Sequence, residues 1–344
     1  MSRRRIALIG LGMAVTPHAK SLIDLADRVE VSHAVAPSLQ RRQAFAARFA
    51  FALSDRLETV LDDDSVDIAA VLTPPNTHLE IVRRLAGAGK HILLEKPLEV
   101  STARAEALVA ACREAGVSLG VVLQHRFKPA AERLTALVRS GALGQIVNCS
   151  TSIRLWRPQT YYDEPGRGTL ARDGGGVLLT QGIHTLDLML SLMGPVEKVC
   201  GFAGTSPVHR MEAEDLVSAA VRFASGAIGG IDATTAAYPG APERIELIGT
   251  LGTAALVGTG LSVSFHDGRS EQLAPDASAG GSGADPMAFP HDYHRAVWRD
   301  FLEALEQRRP PRVSGSEALK VQRLIDALLA AARSDHKLSL SEPA

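Results

Sequence analysis

The sequence predicts an α/β protein with two domains. The first is a doubly wound parallel sheet, and the second is an α+β domain with a large, mostly antiparallel open sheet. Up to about residue 124, apolar strand-like runs alternate with helix-like segments. From Ile146 onward, strand-like runs follow one another with short glycine turns. A chain of 344 residues is long enough for two domains.

The first domain is predicted to span residues 1–124 and to alternate strands with helices. Strands are expected at 5–10, 29–36, 66–75, 91–95 and 117–125, with helices at about 15–26, 77–89 and 101–115. Strands joined by helices of this length form right-handed crossovers in a parallel sheet. The run "AAVL" at 69–72 is apolar at every position, as expected of a strand that is buried on both faces.

The second domain is predicted to span residues 125–344 and to be rich in strands. In "LVSAAVRF" the apolar residues Val217, Val221 and Phe223 alternate with small or polar ones, which is the period of a half-buried strand. Consecutive strands with short turns favour an antiparallel sheet. The final helix, from Ser316 to about Ala332, has the apolar spacing of a docked helix, and it could pack back on the first domain.

Composition excludes several classes of protein. The net charge of −1 favours neither nucleic acid nor an acidic membrane as a partner. The apolar run after the basic N-terminus is too short for a signal peptide, and no segment approaches about 18 apolar residues, so no membrane association is expected. Cys112, Cys149 and Cys200 are scattered without a CxxC pair, which argues against disulfides and zinc and for a reducing cytoplasm. His291 and His294 have no HExxH context, so no metal site is predicted.

The first strand ends in a glycine-rich turn, Gly10-Leu11-Gly12-Met13. Gly10 permits a tight turn, and Gly12 lets the backbone approach a pyrophosphate at the N-terminus of the next helix. Glycine pairs after a strand are also ordinary turn residues. Because this turn opens the first helix of a βαβ array, it predicts a Rossmann dinucleotide-binding domain, with Met13 beside the cofactor.

The end of the second strand bears on the choice between NAD and NADP. NAD-binding proteins usually have an acid there, whereas this chain has Ala36 followed by Ser38, Arg41 and Arg42. A hydroxyl and guanidinium groups suit a 2′-phosphate, so NADP is favoured over NAD, with Ser38 and Arg41 as ligands. The alternative is a solvated helix start that is merely rich in arginine.

Several motifs follow in a characteristic order. "TPPNTH" (73–78) follows the third strand and "EKPL" (95–98) the fourth, and "RFKPA" (126–130) and "GRGTLARDGGGVLLTQGIHTLDLML" (166–190) lie downstream. Behind a GxGxx turn, this order resembles the Gfo/Idh/MocA oxidoreductase family, which contains glucose–fructose oxidoreductase and inositol dehydrogenase. The resemblance covers nearly the whole chain.

The resemblance implies that Lys96 lies beside the nicotinamide and the substrate hydroxyl, with a cis Lys96–Pro97 bond. A lysine that is partly desolvated near a cationic nicotinamide should favour its neutral form, and it could then relay a proton. The alternative is a lysine at the sheet edge that pairs with Glu95. The resemblance further assigns these residues to the nicotinamide side of the cofactor site: Thr73, Pro74, Asn76, His78, Glu95, Lys96, Pro97 and Gln124.

The helix after the three glycines supplies the expected partner of Lys96. Thr180, His184 and Asp187 are spaced i, i+4, i+7 and share one helix face. The resemblance assigns His184 a catalytic role, although a lone histidine on an apolar helix is often a core residue. Inositol dehydrogenases carry an aspartate where this chain has Thr180, and a hydroxyl cannot serve as that carboxylate. Thr180 and Gln181 are therefore expected to bind substrate, while Asp187 packs the helix or orients the histidine.

Aromatic and basic side chains concentrate at 153–168. They can stack on a sugar face and clamp an anionic group, or they can simply pack against the sheet. The predicted substrate-binding residues are Arg126, Trp156, Arg157, Tyr161, Tyr162, Thr180 and Gln181. Relatives often have Trp at the positions of Gly166 and Leu170, so this pocket is expected to be roomier or less sugar-like. A polar loop at 267–287 is a candidate lid.

These observations predict a cytoplasmic NAD(P)-dependent dehydrogenase that acts on a secondary alcohol or ketone of a sugar, sugar derivative or cyclitol. One alternative is a dehydrogenase of an aromatic dihydrodiol of the phthalate type. An alternative of another class is a nucleotide-sensing regulatory protein without turnover. The expected partners are a small-molecule substrate and a second copy of the chain, in a homodimer or homotetramer formed through the C-terminal sheet.

Overall fold

The computed structural model describes residues 3–276, 290–334 and 338–340. The strands are β1 Arg4–Ile9, β2 Val29–Val35, β3 Leu53–Ser54, β4 Ile68–Val71, β5 His91–Leu94, β6 Leu119–Val121, β7 Ile146–Arg154, β8 Val196–Gly204, β9 Leu216–Phe223, β10 Ile228–Thr234, β11 Arg244–Gly249, β12 Gly252–Val257, β13 Gly260–Phe265, β14 Ser270–Leu273 and β15 Leu338–Ser339. The helices are α1 Val15–Asp24, α2 Leu39–Ala46, α3 Glu58–Leu61, α4 His78–Gly87, α5 Thr102–Glu114, α6 Pro129–Arg139, α7 Gln159–Tyr162, α8 Leu170–Asp173, α9 Ile183–Met193, α10 Asp292–Glu306 and α11 Gly315–Arg333.

The chain divides into two compact units. The first unit runs to Gln124 and includes His291–Leu319, and the second comprises His125–Pro290 and the chain from Lys320 onward. The N-terminal sheet therefore recruits a segment from near the C-terminus.

The first unit holds a six-stranded sheet in the order β3-β2-β1-β4-β5-β6, with every pair parallel. Strand order reverses beside β1, since β2 lies on one side and β4 on the other. Ligands of such sheets bind outside the carboxyl ends of the strands at this point. The predicted Rossmann-type α/β fold is confirmed.

Local sequence explains where these elements begin and end. All four residues of β4 are fully buried, which fits a strand covered on both faces. This strand is shorter than predicted, because Pro74 and Pro75 fall in the loop and the short 3₁₀ turn that follow it. Ser38 and Ser101 cap α2 and α5 by accepting backbone hydrogen bonds from Arg41 and Arg104.

Helix α10 belongs to the first unit because of large aromatic side chains. Trp298 is fully buried, and Phe301 lies against the backbone of β6. A Cβ at Gly120 would come within 2.7 Å of the Phe301 ring, so only glycine lets the helix approach this strand. After the helix, Val121 donates a backbone hydrogen bond to Val313, which fastens the returning segment to β6.

The second unit holds a nine-stranded sheet in the order β14-β13-β12-β11-β7-β10-β9-β8-β15. All pairs are antiparallel except β7 with β10, which run parallel. One face is buried through residues such as Cys149, Val217, Ile231 and Leu247. A Cβ at Gly182 would lie 3.2 Å from Ile153, which shows how closely the start of α9 approaches β7. The predicted second sheet is confirmed.

One stretch, Leu170–Met193, passes the length and composition test for a membrane span. The expectation of no span considered only uninterrupted apolar runs, and this stretch contains polar residues such as Gln181 and His184. In the protein, 78% of its apolar window is buried, which is typical of the central helix of a folded domain, so this is weak evidence for a span. Part of the predicted lid, residues 277–287, lies outside the described residues.

Candidate active site

The glycine turn after β1 fits a dinucleotide. Gly10 has φ of +99°, and a Cβ there would lie 2.9 Å from the Leu72 carbonyl group, so glycine is required on both counts. A Cβ at Gly12 would find open space, with a terminal nitrogen of Arg41 4.0 Å away. No side chain caps α1, and its first turn contains no acid. An uncapped helix N-terminus behind a glycine turn suits a pyrophosphate, and the exposed side chain of Met13 borders the turn.

The arginines after β2 differ in what they contact. Arg42 donates to the carbonyl oxygens of Ala36 and Pro37 at 2.6 and 2.9 Å, so it is used in building the turn. Arg41 is exposed, and one of its terminal nitrogens lies beside the Gly12 turn. Ser38 accepts the Arg41 backbone N–H at 3.3 Å as the cap of α2. The guanidinium that faces the glycine turn is therefore that of Arg41.

The loop after β4 is tied to the loop after β5 by His78. This histidine is fully buried, and its Nε2 lies 2.8 Å from the carbonyl oxygen of Thr73. Its Nδ1 lies 3.1 Å from the carbonyl oxygens of both Pro97 and Leu98. Burial lowers the pKa of His78, although these carbonyl contacts work in the opposite direction. Predicted as a cofactor ligand, His78 instead lies behind the two loops and holds them together.

Lys96 lies at the carboxyl end of the parallel sheet, directly after β5. Its side chain is half-buried, and its peptide bond to Pro97 is cis. Within the same unit, Thr73 is half-buried while Pro74 and Asn76 are exposed. Gln124 follows β6, and its amide oxygen is buried without a hydrogen-bond partner among the described residues. A buried acceptor at this edge is an observation that fits a bound ligand.

Behind Lys96, Glu95 belongs to a closed polar cluster with His18, His294 and Trp298. The Nε2 of His18 lies 2.9 Å from Glu95 Oε1, and the Lys96 backbone N–H donates to Glu95 Oε2 at 3.0 Å. The Trp298 indole N–H donates to His18 Nδ1 at 3.0 Å. Burial is the main cause that lowers the pKa of His294 to about 3, so its imidazole is neutral at ordinary pH.

The donor atoms of His18, Glu95 and His294 all lie within 4.8 Å of one another, a spacing that could hold a metal ion. Hydrogen-bond direction argues against this. A histidine that binds a metal through Nε2 carries its proton on Nδ1, and the indole of Trp298 is a donor only. Two donors would then face each other at 3.0 Å. The cluster is therefore a hydrogen-bonded network and not a metal site.

In the second unit, His184 lies on α9 just after a π-helical turn at Leu178–Gly182. It is half-buried, and its ring centroid lies 5.0 Å from that of His125. His125 Nε2 in turn lies 3.6 Å from Glu243 Oε2. His125, Glu243 and Lys128 line a small cavity. Burial lowers the pKa of Lys128, while Glu243 opposes that change.

Arg126 and Asp187 form a buried, two-pronged ion pair. Arg126 Nη2 and Nε donate to the two carboxylate oxygens at 2.6 and 2.7 Å. The side chains are only 10% and 1% exposed. Predicted to bind substrate, Arg126 instead has its guanidinium engaged by this pair, which fixes α9 three residues after His184.

The aromatic and basic side chains at 153–168 divide into a partly exposed group and a buried group. Tyr161 is half-buried, and its hydroxyl accepts from Arg167 at 2.9 Å and from Gln181 at 3.4 Å. The guanidinium groups of Arg167 and Arg157 lie 4.3 and 5.8 Å from its ring centroid. These four residues form one connected group beside the turn that leads to α9.

Tyr162 points the other way. It is buried, its hydroxyl lies 2.7 Å from that of Thr235, and burial raises its pKa to about 12. It was predicted to bind substrate, but it packs in the core. Trp156 is half-buried and packs edge-on against the exposed ring of Tyr238, with the centroids 5.4 Å apart.

Gly176, the last of the three glycines, packs directly against Glu214, a residue that sequence reasoning missed. A Cβ at Gly176 would lie 1.7 Å from the Glu214 carbonyl oxygen, so no other residue fits. The Glu214 carboxylate accepts backbone N–H bonds from Gly176 at 2.9 Å and from Leu178 at 3.2 Å. Thr180 donates to the carbonyl oxygen of Gly176 at 2.6 Å and also bonds the side chain of Gln181. Thr180 thus helps to shape this turn.

Other contributors were also missed by sequence reasoning. His18, Trp298, His125 and Glu243 lie far apart in the chain, and no motif marks them. One signal was present: a buried tryptophan requires an acceptor for its N–H, and His18 is a polar residue on the apolar face of α1. Only the folded structure shows that Trp298 and His18 bond each other.

Two family models match consecutive parts of the chain. The oxidoreductase family model with an NAD-binding Rossmann fold matches residues 4–123, and the GFO/IDH/MocA C-terminal domain model matches residues 131–255. The chain belongs to the Gfo/Idh/MocA oxidoreductase family. The predicted family, the NAD-binding domain and the dehydrogenase class of enzyme are confirmed.

Members of this family with assigned names are similar over most of the chain. A myo-inositol 2-dehydrogenase of Thermotoga maritima is 29% identical over 328 residues, which cover 91% of each chain. A D-apiose dehydrogenase of Paraburkholderia graminis is 28% identical and covers 99% of this chain and 90% of its own. The WlbA dehydrogenase of Bordetella pertussis, solved with NADH and UDP-GlcNAcA, is 28% identical with a TM-score of 0.86, and the match covers 99% and 100% of the two chains.

Proposed function

We propose that this protein is an NAD(P)-dependent dehydrogenase that interconverts a secondary alcohol and a ketone on a sugar, sugar derivative or cyclitol. The observation that carries the proposal is the position of Lys96. It is half-buried at the carboxyl end of β5, in the same sheet whose first turn fits a pyrophosphate. Inositol and apiose dehydrogenases among the relatives support the substrate class.

When bound at this sheet, a nicotinamide cofactor would supply the hydride acceptor for oxidation of the carbinol carbon. The alcohol must also lose its hydroxyl proton as the carbon–oxygen double bond forms. We assign that proton to Lys96 and His184, as positioned acid/base groups. Thr180 contributes hydroxyl positioning only, since at ordinary pH it cannot take a proton.

NADP is the proposed cofactor. No carboxylate follows β2 to bind a ribose 2′-hydroxyl, and the exposed Arg41 guanidinium lies beside the glycine turn. A guanidinium fork there matches a 2′-phosphate. A thermal-shift comparison of NAD with NADP tests this choice. Greater stabilisation by NAD at equal concentrations would contradict it.

A specific observation favours substrates with an anionic group. The guanidinium groups of Arg157 and Arg167 lie 5.8 and 4.3 Å from the Tyr161 ring centroid, and planar guanidinium donors match a carboxylate. Arg167 already bonds the Glu164 carboxylate at 2.7 Å, so a substrate carboxylate would share or replace that partner. Sugar acids meet this requirement, and so does a dihydrodiol of the phthalate type. We therefore expect an acid to be preferred over the matching neutral polyol.

The decisive experiment is a single-turnover assay with enzyme in excess over cofactor, followed by the absorbance of the reduced nicotinamide. The panel comprises cyclitols, aldoses, sugar acids and carboxylated aromatic dihydrodiols, each with NAD and with NADP. Lys96→Met, prepared in parallel, is the control. Tight cofactor binding without reduction by any alcohol would favour the nucleotide-sensing alternative.

We also propose that the outer face of the second sheet binds a second copy of the chain. Its partners in register, Ala220, Gly230 and Ser150, form a flat strip of small residues. Beside them, the side chains of Phe202 and Ile228 are 81% and 56% exposed. A partner that covered them would remove this apolar surface from water. Light scattering should give a dimer or tetramer, and Phe202→Glu should shift it towards the monomer. A wild-type monomer at micromolar concentration would contradict the proposal.

A cytoplasmic location is a further proposal. Cys112, Cys149 and Cys200 are all free thiols, and burial raises the pKa of Cys112 and Cys149 to about 12. Free, unreactive thiols suit a reducing compartment. Cell fractionation tests the location.

A further inference from the structure

We propose that His18 and Trp298 are positioning residues of the reaction: through Glu95, they set the place and the electrostatic environment of Lys96. This inference rests on the proposed function, because it takes Lys96 as a catalytic group. All four residues belong to the first unit and are connected by described hydrogen bonds. Trp298 and His18 are 280 residues apart in the chain.

The indole N–H of Trp298 determines which atom donates and which accepts in each hydrogen bond of this network. The Trp298 indole can only donate, so His18 Nδ1 must be the acceptor and carries no proton. His18 is therefore the neutral tautomer with its proton on Nε2. That N–H points at Glu95 Oε1, 2.9 Å away.

Glu95 must then accept at both oxygens. His18 donates to Oε1, and the Lys96 backbone N–H donates to Oε2 at 3.0 Å. An amide would place its NH₂ donor against one of these two donors, and a protonated acid would have to turn its O–H away from both. The carboxylate accepts both bonds without such an arrangement. Burial alone would raise the pKa of Glu95, but the pKa is lowered, and the hydrogen bond from His18 is the largest of the opposing causes.

The network therefore holds a negative charge on the buried residue that precedes Lys96, and the Lys96 cation is among the charges that act on this carboxylate. Glu95 is 8% exposed, and His18 and Trp298 are fully buried. The other titratable group that faces the network is His294, whose Nε2 lies 3.9 Å from Glu95 and whose ring meets His18 edge-on. Because burial keeps His294 neutral, Glu95 keeps its full charge towards Lys96.

The first test is Glu95→Gln. The introduced amide has one acceptor oxygen and one donor NH₂. Its NH₂ would face either the His18 N–H or the Lys96 backbone N–H, and the negative charge would be lost. We expect kcat to fall about 10-fold or more, with a displaced pH profile, while the cofactor Kd changes less than about 3-fold. A purely structural residue would leave kcat per folded molecule and its pH profile unchanged.

Glu99→Gln is the matched control. Glu99 is also buried in the loop after β5, and its oxygens accept the backbone N–H groups of Leu79 and Val100 at 3.1 and 2.7 Å. The substitution imposes the same loss of one acceptor, and it also removes the charge that pairs with Arg104 at 2.8 Å, but it leaves Glu95 and its contacts in place. We expect a lower Tm and an unchanged kcat. Equal loss of kcat in both variants would overturn the proposal.

The second test uses Trp298→Phe, which removes the indole donor that fixes the His18 tautomer. With that donor gone, His18 can accept at Nε2 from the amide introduced by Glu95→Gln. We therefore expect the double variant to be more stable than the sum of the single losses predicts. The lost kcat should not return, because the charge is still absent. Additive stability losses would overturn the fixed direction of the network.

These outcomes separate the inference from the proposed function. The stability cycle needs neither substrate nor cofactor, so it reports on the hydrogen bonds alone. A positive coupling with a wild-type kcat in Glu95→Gln would remove the positioning role and leave the dehydrogenase intact. Full turnover by Lys96→Met would overturn the catalytic assignment on which both depend.

Discussion

Two buried glutamates, one in each unit, illustrate how the fold sets a charge. Glu95 and Glu214 are each 8% exposed, and each carboxylate accepts backbone N–H bonds beside a proposed catalytic element. Their pKa values nevertheless shift in opposite directions. Burial raises the pKa of Glu214, whereas the pKa of Glu95 is lowered despite burial.

The difference lies in the neighbouring charges and donors. Glu95 has the His18 donor and the Lys96 cation, which favour its ionised form. Glu214 has Asp215 as its neighbour, a like charge that adds to the effect of burial. At equal burial, Glu95 therefore favours its ionised form next to Lys96, whereas Glu214 favours its neutral form beside the turn that precedes His184. Burial alone does not determine protonation.

The largest expected effect comes from Lys96→Met. We expect turnover to fall about 10²–10⁴-fold, because a positioned acid/base group is lost, while cofactor binding is retained. Rapid-quench or absorbance kinetics at saturating substrate measure the loss. Lys90→Met is the control, since Lys90 is buried at the opposite end of β5 and bonds the Asp63 carbonyl oxygen at 2.7 Å. A loss below about 3-fold for Lys96→Met would contradict the assignment.

For the second unit, His184→Asn should lower turnover about 10²-fold, since the amide keeps hydrogen bonding but cannot exchange a proton near neutral pH. His125→Asn should have a smaller effect, because His125 contacts His184 by its ring and lines the cavity. Stopped-flow pH profiles of both variants measure these effects. A larger loss from His125→Asn would transfer the catalytic assignment to His125.

The two glutamates should differ in stability. Glu95→Gln is expected to lower the free energy of unfolding by about 2–3 kcal/mol at neutral pH, since hydrogen bonds to a charged group are lost. Glu214→Gln should cost less than Glu95→Gln, because its amide also opposes one of two backbone N–H donors but removes a charge that burial and Asp215 already disfavour. Urea unfolding of both variants at the same pH gives the comparison. Equal losses would show that the charge environment of the two groups does not differ.

The smallest and most specific effect is in the pH dependence of these losses. The folded pKa of Glu95 is depressed, so its contribution is present above the ordinary glutamate pKa and disappears as pH falls through the folded value. The folded pKa of Glu214 is raised, so its contribution is present at acid pH and disappears as pH rises through the folded value. The Tm gap between wild type and each Gln variant should therefore narrow towards acid for Glu95 and widen towards acid for Glu214.

Much of the fold could be predicted because it depends on local patterns. The apolar run of β4, the helix predicted at 101–115 and the Gly10 turn each depend on a few neighbouring residues, and all were located correctly. The side chains of the candidate site were harder to predict. Arg126 and Tyr162 have the chemistry of substrate ligands, but they bond Asp187 and Thr235 in the interior.

The sequence by itself determined the alternation of strands and helices, the glycine turn and the loop that carries Lys96, because these depend on neighbouring residues and on hydrophobic periodicity. The tertiary structure alone decided which polar groups meet. Trp298 reaches His18 only because Gly120 lets α10 approach β6, and Glu214 reaches its two N–H donors only because Gly176 has no side chain. Hydrogen bonds and charges act over a few ångströms in space, and separation along the chain does not encode that distance.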